Sequence, residues 1–171
     1  MKYKSLGLAV LLAAFAASVL AQTQISGTMK CPKPDVSQNI EVGDPAGHVL
    51  VIEKGSCTWG VPFEMAGLKS TTSTVAYAVD VTATKYQVQG YIVISMDNGD
   101  KAYVRYQGMG SMKEGAFTGE GTWSYTGGTG KLKGLRGKGT YKGSGTPDGA
   151  SDSKVEGTYS LPEPSATAKK K

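Results

Sequence analysis

Histidine occurs once in the 171 residues, at His48, and cysteine and tryptophan twice each. One imidazole supports no His-rich metal site, and a Ser/His/Asp triad would have to be built on His48 alone. No Gly-x-Ser-x-Gly elbow is present, and His48 reads as an ordinary, partly exposed strand residue beside Val49. Apolar stripes of 3.6-residue period are missing too, while Gly numbers 24. That combination excludes a mainly helical protein, because Gly inside a helix costs about 1 kcal/mol against Ala. The glycines follow no three-residue period, which excludes collagen. Beyond Leu20 no apolar run approaches the ~20 residues needed to span a bilayer.

Charge of one sign is scarce as well. Lys and Arg total 19 against 14 Asp and Glu, but Lys2 and Lys4 precede residue 22 and Lys169, Lys170 and Lys171 end the chain. The body between them is balanced at 14 against 14, without the net positive field on which nucleic-acid affinity rests. Gly130-Lys131 and Gly137-Lys138 are not followed by Ser or Thr, so a phosphate-binding loop is excluded.

What is present begins with an export signal. Lys2 and Lys4 form a basic start, Leu6 to Leu20 is uncharged and apolar, and Ser18-Val19-Leu20-Ala21 ends in small residues. The pattern predicts cleavage near Ala21 and a secreted or periplasmic protein. No integral membrane segment would remain after cleavage. The domain plan is a signal at 1–21, one β domain at 22–161, and a disordered Lys-rich tail at 162–171, whose charge is read first as a solvated end. In an oxidising compartment Cys31 and Cys57 are expected to form a disulfide. A zinc site is the poorer reading, for want of further ligands.

Short runs of β-branched and aromatic residues cut by glycines continue to residue 161 and predict an antiparallel β protein. Tyr86–Met96 and Lys101–Gly108 flank Asp97-Asn98-Gly99-Asp100, a hairpin whose Asn98-Gly99 suits a turn with positive φ. Tyr86, Val88, Ile92, Ile94 and Met96 share one face with Ala102, Val104 and Tyr106; Lys101, Tyr103, Arg105 and Gln107 take the other. The same alternation runs through Val49–Glu53, Val75–Val81, Phe117–Tyr125 and Val155–Leu161, with shorter strands near 139–143 and 25–29. Cys31–Gly47 reads as a long loop and Ser144–Ser153 as a turn. Seven or eight strands with no helix to cover a sheet face are expected to close into a barrel, with a sandwich as the alternative.

Gly127-Gly128-Thr129-Gly130, then Leu132, Gly134, Leu135 and Gly137, resembles the Gly-Gly-Thr-Gly pattern of the allene oxide cyclase-like barrel superfamily, which includes the dirigent proteins and bacterial secreted barrels. The likeness covers about 40 residues, Phe117 to Tyr159. It implies an eight-stranded barrel with an apolar cavity, a plug from Leu132 and Leu135, and an assembly often dimeric or trimeric, so a homo-oligomer is open to this chain. Enzymatic members cyclise or guide small lipophilic molecules. Their catalytic positions lie outside the matching stretch, and none transfers here.

Tyr77, Tyr106, Phe117, Trp123 and Tyr125 fall on the core face, first as packing and second as the wall of a ligand site. Gly119 and Gly121 share that face and suggest a void beside the rings. Glu53, alternating with Val49 and Val51, is the candidate acid, with Arg105 as its partner if the register brings the two together. Lys131, Lys133, Arg136, Lys138 and Lys142 form a basic stripe, read first as solvated surface and second as an anion site. No residue set implies a metal or cofactor. These readings predict an exported barrel binding a small apolar or aromatic molecule. A cyclase or isomerase of lipophilic substrates is one alternative, and an envelope protein contacting anionic surfaces is another.

Overall fold

The computed structural model describes residues 22–44 and 46–162; the segment expected to be an export signal and the final Lys cluster lie outside that range. Ten strands follow in chain order: β1 Thr23–Cys31, β2 Val36–Glu41, β3 His48–Trp59, β4 Glu64–Met65, β5 Leu68–Thr82, β6 Lys85–Met96, β7 Lys101–Lys113, β8 Ala116–Gly128, β9 Arg136–Gly145 and β10 Ser151–Ser160. One 3-10 turn, Gly130–Leu132, separates β8 from β9. Eight of the strands form an antiparallel ring, β3-β1-β10-β9-β8-β7-β6-β5, which closes by pairing β5 with β3. The expected eight-stranded closed barrel is therefore present.

The segment read as a loop contains β2, contrary to expectation. β1 holds the edge of β3 only at Met29 and Lys30, opposite Trp59 and Thr58. The chain turns through Pro32 and Pro34, and β2 takes over that edge from Val36 opposite Lys54 to Glu41 opposite Val49. Val36 and Ile40 alternate with polar residues here, but no β2 residue is buried, so the apolar side of this strand faces solvent. Cys31 and Cys57 form a disulfide, S–S 2.04 Å, at the handover between the two strands.

The Asn98-Gly99 hairpin is present with Gly99 at φ +89°, and its arms run longer than expected, β7 reaching Lys113. Asp100 ties this hairpin to the 3-10 turn: the Lys131 N–H donates to its Oδ2 at 2.9 Å, and Asn98 Nδ2 donates to the same atom at 2.8 Å. Lys101 N–H donates to the Thr129 hydroxyl at 2.8 Å. Leu132 and Leu135 are thereby driven inward to zero exposure, beside Phe63, Met65, Leu68 and Met96. These residues fill one end of the barrel. The other end is rimmed by the β1–β2, β7–β8 and β9–β10 connections, where Gly115 lies against Pro147 and Gly149 against Pro34.

Candidate functional site

Strand register places the inward side chains in rows around the barrel. One row reads Ser37, Glu53, Tyr77, Gly90, Tyr106, Trp123, Gly139, Gly157 and Ile25, each opposite the next on the neighbouring strand. The row toward the rim carries Val51, Val79, Val88, Gly108, Gly121 and Tyr141.

Glycines on the inner wall seat the rings of their neighbours. A Cβ on Gly119 would stand 2.1 Å from the Tyr86 hydroxyl oxygen, and one on Gly121 would stand 2.6 Å from Cε1 of Tyr141. The same holds for Gly139 and Gly157 beneath Trp123, at 2.6 and 2.5 Å from its Cζ2. Tyr86 and Tyr141 thus lie over Gly119 and Gly121, and a cavity opens beside the rings with Gly119 among its lining residues. Laying rings along the wall instead of across the lumen keeps the centre open. A cavity of about 600 Å³ runs from the rim to a floor of Trp59, Ile94, Trp123 and Tyr125.

All five residues expected to wall a ligand site, Tyr77, Tyr106, Phe117, Trp123 and Tyr125, line this cavity. Trp123 and Tyr125 meet edge-on with ring centroids 5.1 Å apart, and the Trp123 indole N–H donates to the Thr140 carbonyl at 3.2 Å. Tyr106 meets Tyr141 edge-on at 5.9 Å. Tyr86, Tyr141 and Trp59 also line the cavity, and none of them was among the expected site residues. All three are legible from alternation: Trp59 keeps the inward parity of Val51, Glu53 and Cys57 along β3.

Burial dominates the electrostatics of the phenols. It raises the Tyr77 hydroxyl above its ordinary value, with the Glu53 carboxylate beside it adding to the effect. Tyr106 is raised by burial first, then by Tyr77, Tyr141 and Glu53. Tyr125 is raised by burial and by Tyr159, and Tyr141 is pushed up to about 12 by burial with a contribution from Tyr86. All of these phenols are therefore neutral donors at physiological pH. The Tyr141 hydroxyl and Trp59 Nε1 are buried with no hydrogen-bond partner among the described residues.

Glu53 points into the cavity, partly buried, and accepts a hydrogen bond from the Ser37 hydroxyl at 2.8 Å. Arg105 does not join it. Arg105 pairs with Tyr91 and Ser124 on the outer, exposed face, because the odd-numbered positions of β7 face solvent. Lys131, Lys133, Arg136, Lys138 and Lys142 are all exposed outside the barrel, and Lys142 Nζ pairs with Glu120 at 2.9 Å. His48 does not line the cavity. Its Nδ1 lies 2.5 Å from Asp44 Oδ1 and its Nε2 lies 2.9 Å from Asp80 Oδ1.

Among the described residues no cluster of three His, Cys, Asp or Glu is placed to hold a metal ion, and no helix is long and apolar enough to cross a membrane. Comparison with protein-family models and with curated proteins gives no match.

Proposed function

We propose that the protein is an exported barrel that binds a small apolar or aromatic molecule in its lumen. The observation that carries this reading is the cavity of about 600 Å³ walled by Tyr77, Tyr106, Phe117, Trp123 and Tyr125. That volume lies within the ~300–1,000 Å³ range of small-molecule sites, and the lining has their usual make-up of apolar surface with a few convergent polar groups. The disulfide suits an oxidising compartment, which supports export through the signal read at residues 1–21. Kinship with allene oxide cyclase-like barrels belongs to the same proposal, supported by eight closed strands and the Leu132–Leu135 plug. Binding is favoured over cyclisation because Arg105, the expected partner of Glu53, lies on the outer face of the barrel.

Native mass spectrometry of the exported protein, before and after organic extraction, tests the reading without presupposing a ligand. The expected result is an extra mass on the order of a few hundred daltons that extraction removes. A bare chain that also takes up no apolar dye would overturn it and shift attention to the basic outer surface.

A further inference from the structure

The charged groups in the cavity lining are Lys33, Glu53 and Asp148. Lys33 and Asp148 belong to the rim connections and offset one another. Asp148 is held below the usual carboxylate range by the Thr146 hydroxyl first and the Ala150 N–H next, with the Lys33 charge contributing. Glu53 differs from both. It sits on the wall of the lumen, in the row that runs Ser37–Glu53–Tyr77–Gly90–Tyr106–Trp123. Its neighbours there are neutral: the Ser37 hydroxyl at 2.8 Å and the Tyr77 phenol. No ion pair reaches it among the described residues. A carboxylate drawn partly out of water with no cation beside it leaves a negative potential in a cavity of low polarity. The Tyr77 ring stands on the neighbouring strand, with Tyr106 beyond Gly90 in the same row, and aromatic faces attract cations.

We propose that the lumen is selective for a cationic amphiphile, an ammonium group on an apolar body, with the positive charge at Glu53 beside Tyr77 and the apolar part against Val79, Val88 and Trp123. This rests on the reading that the lumen binds small molecules at all. The ammonium supplies the charge that Glu53 lacks, and the wall supplies apolar contact along the rest of the ligand. A carboxylate headgroup would meet Glu53 as a like charge and be excluded.

Trp59 and Trp123 line the cavity, so intrinsic fluorescence reports occupancy directly. Decylamine, decanol and decanoate share one chain and differ only in headgroup charge; each is titrated below its aggregation threshold. The expected order is decylamine tightest by roughly 10-fold over decanol, with decanoate weakest. In Glu53→Gln the amine preference disappears while decanol affinity stays within about twofold, and Glu53→Asp keeps the preference in part. Decanol binding as tightly as decylamine to the unaltered protein would overturn the charge selectivity and leave the cavity reading standing. Retention of the preference in a folded Glu53→Gln, checked by circular dichroism, would overturn the role of Glu53. Failure of all three compounds to bind would overturn both readings together.

Discussion

At the residue scale, the wall glycines are constrained by the side chains laid over them. Gly121 has the Gln107 carbonyl oxygen 2.1 Å from where a Cβ would stand, in addition to the Tyr141 ring. Backbone cannot yield as a flexible side-chain end can. Gly121→Ala is expected to lower stability by about 1–3 kcal/mol, read from the denaturant midpoint. Gly60→Ala is the control, since the nearest atom to its Cβ is the Thr28 carbonyl oxygen at an ordinary 3.6 Å, and its midpoint is expected to hold. His48 carries a different prediction. The hydrogen bond to Asp44 raises its pKa above the usual 6.5, and the bond to Asp80 adds to this. A folded value above the unfolded one means that the contribution is complete below pH 6.5 and is lost as pH rises through the folded value. Thermal midpoints should therefore fall across that window in the native protein. In His48→Asn that part of the slope should vanish; an unchanged slope would show that the Asp44–His48–Asp80 cluster contributes nothing.

At the scale of elements, the junction of β1, β2 and β3 is the place where local pattern and fold part company. β1 and β2 share one edge of β3, and the Cys31–Cys57 disulfide closes a sequence separation of 26 where one gives way to the other. Its loop length corresponds to about 3–4 kcal/mol in the chain-entropy account. Replacing both cysteines by Ala is expected to cost that amount in urea unfolding. Amide exchange should quicken first across Val36–Glu41, whose side chains bury nothing to hold them. Uniform exchange across β2 and β3 in the variant would show that the bridge is not the anchor of β2. The strands detected from alternation alone, such as Phe117–Tyr125 and Val75–Val81, are those with one buried face. β2 has none, and the neighbouring Pro32, Pro34 and Pro45 give its stretch the sequence signature of a loop.

At the scale of the whole molecule, the phenols of four strands converge on one lumen. Tyr77, Tyr106, Tyr125 and Tyr141 come from β5, β7, β8 and β9, and burial raises each above the ordinary 10. The neutral form is favoured in the fold, so this stabilisation is complete below pH 10 and declines as pH rises above it, because the unfolded chain ionises first. Alkaline titration should show these phenols ionising together with loss of near-ultraviolet circular dichroism. Full phenolate absorbance near pH 10 from a still-folded barrel would contradict the burial that the lumen reading requires.

The sequence by itself determined the β class, the hairpin at Asn98-Gly99, the cysteine pair and the inward side of most strands. Each of these follows from near neighbours: period-two alternation, a turn that needs positive φ, or two thiols with no other partner type. It also marked Tyr77, Tyr106, Phe117, Trp123, Tyr125 and Glu53 as inward residues. Tertiary structure alone decided which of them meet. Register across β3, β5, β6, β7 and β8 sets Glu53, Tyr77, Tyr106 and Trp123 in one row. Pairing between neighbouring strands sets that offset, and a shift of one residue would exchange lumen for surface.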